Sequence, residues 1–504
     1  MAKAEAKLQD LRNRMREVWD LNHINFLLEW DQYTYMPSGG GEARGRQSAL
    51  IAQMAQEKFI DKEIGRLLDD LHPYEESLPY DSDDASLIRV TRRDYEHAIK
   101  VPPKFIGEFN EHRAGSYQAW TVARPANDFS LTRDHLEKTL DFSRQMADFF
   151  PGYEHIADPL IDRNDYGMKA STVRSLFAEL RENLVPIVRG ITSQVPADDS
   201  VLHKYYPEAE QLAFGEDVVR QLGYDFSRGR IDKTHHPFQT KFSLGDVRIT
   251  TRVKENDLGE CLFSDMHEAG HAMYEQGIDL SFEGTPLGVG TSAGVHESQS
   301  RLWENIVGRS RGFWEYMYPK VQLYFPEQLK GVGLDEFHAA INKVEKSLIR
   351  TSADEVTYNL HVMMRFDFEL QLLEGTLSIR DLPEAWHERF EHDFGIVPPT
   401  DSDGVLQDAH WYDGFIGGAF QGYTLGNILS AQFFNAALKA NPSIPDEMKE
   451  GNFTTLHGWL RENIYRHGSK FTTSELVERA TGSALTIEPY IEYLKTKYGA
   501  LYML

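Results

Sequence analysis

Apolar residues recur three and four positions apart through nearly the whole chain, a pattern that helices bury and sheets do not. The first stripe, Leu11, Met15, Val18 and Leu21, lies close to the N-terminus, and comparable stripes continue to the other end. Acidic or proline-bearing breaks at EESLPYDSDDAS, QVPADDS and GIVPPTDSDG are each short enough to be loops between helices. Cores usually divide beyond roughly 250–300 residues. The 504 residues therefore predict two or three domains, or one large helical body around a cleft. With no repeat or low-complexity linker between the stripes, a single helical domain spanning 1–504, as one body or two lobes, is expected.

One segment departs from the helical period. In KFSLGDVRITTRVKE, Val247, Ile249 and Val253 face one way and Arg248, Thr250 and Arg252 the other, with Gly245 and Asp246 between two short runs. That alternation predicts a hairpin in one small antiparallel sheet, so the expected fold class is mainly α with a minor β element.

Charge narrows the partners. A net charge of −25 repels phosphate backbones and anionic lipid surfaces, so neither nucleic acid nor membrane is expected. No run of about 18 apolar residues suggests a membrane span. Cys261 has no second cysteine to pair with, and the charged N-terminal stretch lacks the apolar centre of a signal peptide. The cytosol is the expected compartment.

Just beyond the hairpin, ECLFSDMHEAGHAMYEQG contains His267, Glu268 and His271. On a helix, residues i and i+4 share a face, so the two imidazoles can grip one metal ion while Glu268, at the edge of that face, reaches a water. Leu258, Leu262, Met266, Ala269 and Met273 form an apolar stripe beside them, and Gly277 is a natural stop. Such a site needs a third protein ligand. After a glycine-rich turn, VHESQSRLWENIVGRS predicts a second helix with Val295, Leu302 and Ile306 inward and Glu297, Arg301 and Glu304 on another face. Glu297 follows His271 by 26 residues (297 − 271), enough for one turnaround. It is the candidate third ligand, against the plainer alternative of a solvated Glu297–Arg301 pair.

Further on, SLIRTSADEVTYNLHVMMRFDFELQLLEG is expected to form one long helix ending at Gly375, burying Ile349, Ala353, Val356, Leu360 and Met363. Arg350 and Asp354 fall on another face, where Asp354 could orient Arg350 to take a carboxylate bidentately, or the two could form a structural salt bridge. Arg248 is a second cationic candidate or an exposed strand arginine, and His236 a site residue or a loop histidine. In GVLQDAHWYDGFIGGAFQGYTLGN, His410 and Tyr423 are either structural or donors to a developing oxyanion.

Taken together, these motifs resemble the carboxypeptidase Taq family of zinc metallocarboxypeptidases. The resemblance is carried by His236-Pro237-Phe238, Asp246 to Thr250, His267 to His271, His296 to Gln299, Ile349 to Asp354, and GVLQDAHW from Gly404 to Trp411. It implies a mostly helical fold with a deep groove, a small sheet along it and a homodimer. It also implies release of single C-terminal residues from peptides with broad side-chain tolerance, on Zn²⁺ with Co²⁺ able to substitute. His267, His271 and Glu297 would be ligands, Glu268 the general base, and His410 and Tyr423 assistants; Arg350, Arg248, Asp354 and His236 are then the candidate substrate contacts. Family members run through an aromatic Gly-Tyr-Phe-Pro segment where this chain reads IGGAFQGY, which makes His410 the closer carry-over of the two. A helical zinc endopeptidase or dipeptidyl carboxypeptidase is the competing enzyme class. A catalytically silent peptide-binding protein is the other alternative, against which the retained Glu268 speaks.

Overall fold

The structure, a computed structural model, describes residues 2–503. Helices dominate it as the periodicity predicts, from Ala2–Thr34 to Glu488–Tyr502. None of the described helices is long and apolar enough to cross a membrane. The first helix buries Leu8, Leu11, Met15, Val18, Trp19, His23 and Trp30.

Three apolar cores organise the chain. One gathers residues of the Pro103–Ala126 and Ala170–Thr192 helices with Val356 to Leu373 and the C-terminal tyrosines. A second is built around Val247, Ile249, Leu258, Leu262 and Met266, with Trp303 and Trp314. A smaller one joins the first helix to Leu67, Leu87, Phe282 and Leu287. The helix Gln421–Ala440 belongs to both large cores: Leu425, Ile428 and Ala431 face the first and Leu429, Phe433 and Ala437 the second. Its two-sided burial fits a helix apolar nearly all round.

Strands β1 (Ile231–Lys233), β2 (Gln239–Ser243) and β3 (Asp246–Thr251) form a sheet in the order β1-β3-β2. The expected hairpin is β2–β3, antiparallel with Thr240 opposite Arg248 and an irregularity between Lys241 and Ser243. The sheet is nevertheless mixed rather than antiparallel, because β1 joins β3 in parallel with Ile231 opposite Ile249. At three residues, β1 is too short to show a period. Val253 falls beyond the end of β3.

A second expectation is corrected. The segment from Ser347 is not one helix: a 3₁₀ turn, Arg350–Ser352, precedes a helix confined to Tyr358–Glu374. Asp354 is the reason. Its carboxylate accepts the N–H groups of Val356 and Thr357 at 2.9 and 3.0 Å and the Thr357 hydroxyl at 2.7 Å, fixing the turn that leads into the helix much as a capping residue does. Val356, Leu360 and Met363 are buried as expected, but Ile349 and Ala353 are half-buried and Arg350 goes inside.

Candidate active site

The helix Leu258–Gly277 carries the two histidines. Asp257 caps it by accepting from the Gly259 and Glu260 N–H groups, and its apolar stripe is buried against β3 and the next helix. That next helix, Ala293–Arg301, is capped by Ser292 and continues as a π-helical turn, Leu302–Val307, a deviation common at functional sites. Close crossings bring Glu297 home. A Cβ on Gly270 would lie 2.6 Å from the Gln299 carbonyl oxygen, and one on Gly426 would lie 2.5 Å from the Glu297 Cγ. Only glycine permits helix-to-helix contact on both sides of the glutamate.

The donor atoms converge. Glu297 Oε2 lies 3.7 Å from His267 Nε2 and 3.5 Å from His271 Nε2, and the three groups offer donors all within 4.8 Å of one another. Tetrahedral ligand bonds of about 2.1 Å separate donor atoms by about 3.4 Å, so two imidazoles and a carboxylate fit a divalent cation in both spacing and chemistry. The Glu297–Arg301 pair also exists, with Arg301 Nε donating to Glu297 Oε1 at 2.7 Å, but it is buried rather than solvated. One oxygen serves Arg301 and the other faces the histidines. Burial opposes the charge, yet Arg301 and the two imidazoles hold the Glu297 carboxyl well below the usual range. Glu304, from the π turn, lies 2.9 Å from His267 Nδ1 and accepts from Arg301 at 3.1 Å, fixing the ring from behind. Glu268 is 7% exposed, and burial pushes its carboxyl up to about 7.

Arg350 stands in a second cluster. At 6% exposure, it donates through Nε and Nη2 to Asp408 Oδ1 at 3.1 and 2.8 Å and through Nη1 to the Tyr358 hydroxyl at 2.9 Å. Its carboxylate partner is thus Asp408, not Asp354. The far Asp408 oxygen accepts from Arg365 Nε at 2.6 Å, so two buried guanidinium groups share one anion. Burial disfavours that anion, but Arg365 and Arg350 hold it ionised well below the carboxylate range. The Tyr358 ring links the two clusters, with the Arg301 guanidinium 4.7 Å from its centroid and that of Arg350 5.8 Å away.

His410 Nε2 is 3.1 Å from the Tyr423 hydroxyl, and the Tyr423 ring lies 5.3 Å from the Arg350 guanidinium. Burial, with Arg350 beside it, lowers His410 to about 4, and burial raises the Tyr423 phenol. His236 sits in an exposed bend within electrostatic reach of Arg350 and His267. Arg248 stands apart from these groups. It is bidentate on Asp246, at 2.8 Å from both oxygens, and its guanidinium lies 4.6 and 4.8 Å from the Trp30 and Phe242 rings.

The sequence motifs alone assign no role to Asp408, Arg365, Glu304 or Tyr358. Asp408 was within reach, since it belongs to the GVLQDAHW motif. Arg365 lies on the buried helix Tyr358–Glu374 and carries no periodic signal. Because Asp354 holds the turn that leads into the helix Tyr358–Glu374 in the manner of a cap, Asp354→Ala should lower stability by about 0.5–2 kcal/mol in a denaturant melt while leaving preference among substrates unchanged. A variant that melts normally but loses that preference would restore Asp354 to the binding site.

A helix bearing His-Glu-x-x-His, a glutamate returned by the following helix, and a buried arginine cluster beside them define a helical metallopeptidase. The carboxypeptidase Taq (M32) metallopeptidase family matches residues 10–498, and the chain belongs to that family. It is 40% identical to thermostable carboxypeptidase 1 of Thermus thermophilus, with 99% of each chain covered. With thermostable carboxypeptidase 1 of Pyrococcus furiosus it shares 32% identity, over 97% of this chain and 98% of the other. The fold superposes on the crystal structure of an M32 carboxypeptidase from Deinococcus radiodurans with a TM-score of 0.96 at 50% identity, covering 99% of this chain and 100% of that one. The chain is accordingly a metallocarboxypeptidase, a hydrolase of peptides that requires a metal.

Proposed function

We propose that this enzyme is a zinc carboxypeptidase that removes single C-terminal residues from peptides with broad side-chain tolerance, Glu268 serving as general base. The observation that carries the reading is the buried Arg350–Asp408–Arg365 cluster beside the metal donors, two cations on one anion. A terminal carboxylate is the charge that would complete it.

When bound, the metal supplies Lewis-acid polarisation of the scissile carbonyl and a water acidic enough to react near neutral pH. Glu268 accepts the proton of the attacking water and hands it to the leaving amine. Either His410 or Tyr423, both kept neutral by burial, donates a hydrogen bond to the carbonyl oxygen as it becomes anionic, and the other holds it through their mutual contact. Arg350, fixed by Asp408, receives the terminal carboxylate. His236, in the bend before β2, and Arg248, in β3, are further substrate contacts, and the edge strand β2 offers backbone pairing that is indifferent to side chains. Co²⁺ can substitute for Zn²⁺, and the chain is a single domain, of one body or two lobes around a groove, that works as a homodimer in the cytosol.

A mixed peptide pool incubated with zinc-loaded protein and followed by mass spectrometry should show ladders losing one C-terminal residue at a time, and a chelator should abolish them. Release of dipeptides or internal fragments instead would replace this reading with a dipeptidyl carboxypeptidase or an endopeptidase.

A further inference from the structure

The two histidines of the metal helix are held from behind by unlike means. His267 Nδ1 meets a carboxylate directly in Glu304. His271 Nδ1 instead lies 2.6 Å from Nδ1 of His296, the residue before Glu297. His296 Nε2 lies 2.9 Å from Glu275 Oε1. That oxygen also accepts the Gly290 N–H at 3.2 Å, while Glu275 Oε2 accepts from Lys241 Nζ at 2.5 Å. Lys241 Nζ donates in addition to the Gly288 carbonyl at 2.5 Å.

Donor and acceptor counting gives this chain of contacts a direction. Two ring nitrogens within hydrogen-bond distance need one hydrogen between them. The Glu275 carboxylate can only accept, so His296 Nε2 carries a hydrogen towards it. His271 Nε2 is the nitrogen facing Glu297, and a nitrogen that ligates a metal carries no hydrogen, so the hydrogen of His271 sits on Nδ1 and His296 Nδ1 accepts it.

The buried ion pair at the far end supports this assignment. Lys241 and Glu275 side chains are each 7% exposed, and burying two charges is a poor way to gain stability. Lys241 reaches inward from the irregular part of β2, where a bulge re-aims a side chain. Its Nζ sits 5.2 Å from the centroid of the Trp19 ring of the first helix.

We propose that His296, Glu275 and Lys241 form a positioning relay that sets the tautomer and ring orientation of His271, doing through an extra imidazole what Glu304 does directly for His267. The inference rests on His271 being a metal ligand and deepens that reading.

Zinc affinity by chelator competition, at fixed pH, tests it together with the visible spectrum of the Co²⁺-substituted protein and the melting temperature without metal. Outer partners of ligating histidines typically contribute 10–100-fold in metal affinity. His296→Phe keeps a ring but accepts nothing, and should weaken zinc binding by about 10–100-fold and shift the Co²⁺ bands. His296→Gln, whose amide oxygen can accept the His271 Nδ1–H, should recover part of the loss. The pair Lys241→Met with Glu275→Leu changes no net charge, releases His296, and should weaken binding as His296→Phe does. Zinc affinity within twofold of wild type in His296→Phe or in the double variant would overturn the relay. So would equal losses in Phe and Gln variants accompanied by a matching fall in metal-free melting temperature. If wild type takes up no zinc at all, the metal reading itself fails, a result distinct from a wild type that binds and variants that bind equally well.

Discussion

Glu268→Gln should retain the fold and its metal and lose about 10²–10⁴-fold in turnover, the usual contribution of a positioned general base. The amide has the volume of the carboxylate and cannot accept the water's proton. Metal binding should survive because Glu268 is not among the three converging donors. His267→Ala, His271→Ala and Glu297→Ala should each lose bound metal instead, so metal content separates the two kinds of defect. The acid limb of the wild-type rate should fall as pH drops through the Glu268 pKa, since the protonated acid cannot act as base, and the residual activity of Glu268→Gln should lack that limb. A stability effect of opposite sign accompanies this. Burial raises the folded carboxyl to about 7 from an ordinary value of 4.5, so between those values the unfolded chain is ionised while the folded one is not, and wild type loses stability as pH rises through that window. At pH 8, metal-free Glu268→Gln should therefore melt no lower than metal-free wild type. Near-normal turnover at full metal occupancy would remove Glu268 from the role of base.

The metal half of the site was legible because its signal is local. His267 and His271 are one turn apart on a helix whose stripe, cap and glycine stop stand in consecutive residues, and Glu297 comes one turnaround later on another stripe. The arginine half was only partly legible because its partners are distant in sequence. Arg350 is held by Asp408, 58 residues on, and Asp408 by Arg365, 43 residues before it. Helical spacing offered Asp354 as the partner of Arg350, since an i, i+4 pair is all that one segment can show. The carboxylate used its short side chain to hold the turn before the following helix instead, a local hydrogen bond that competes with helix continuation. Much the same holds for the sheet. Alternation showed the β2–β3 hairpin, whereas β1 has too few residues to alternate and its parallel pairing is settled by tertiary packing.

Peptides ending in a free carboxylate should be cut far faster than their C-terminal amides, and Arg350 should account for most of the difference. Arg350 is buried, its guanidinium held by Asp408 and Tyr358, so little side-chain freedom remains to be lost when substrate arrives. Arg365 shares Asp408, which leaves the pocket with one more cation than anion. Truncating one partner of a buried, hydrogen-bonded charge pair costs about 2–5 kcal/mol, or roughly 30- to several-thousand-fold. Arg350→Ala should accordingly lower kcat/KM on free acids by that factor and scarcely change the already slow rate on amides. Asp408→Asn should act in the same direction through loosened positioning of Arg350, and its loss should appear more in KM than in kcat if the metal half of the site is undisturbed. Arg350→Lys should recover little, because an ammonium cannot reproduce the planar fork that a carboxylate accepts. Metal content checks that each variant keeps the neighbouring centre intact. Were wild type to cut acids and amides equally well, the arginine cluster would have no part in recognising the terminus, and cleavage of internal bonds would be the better account of the site.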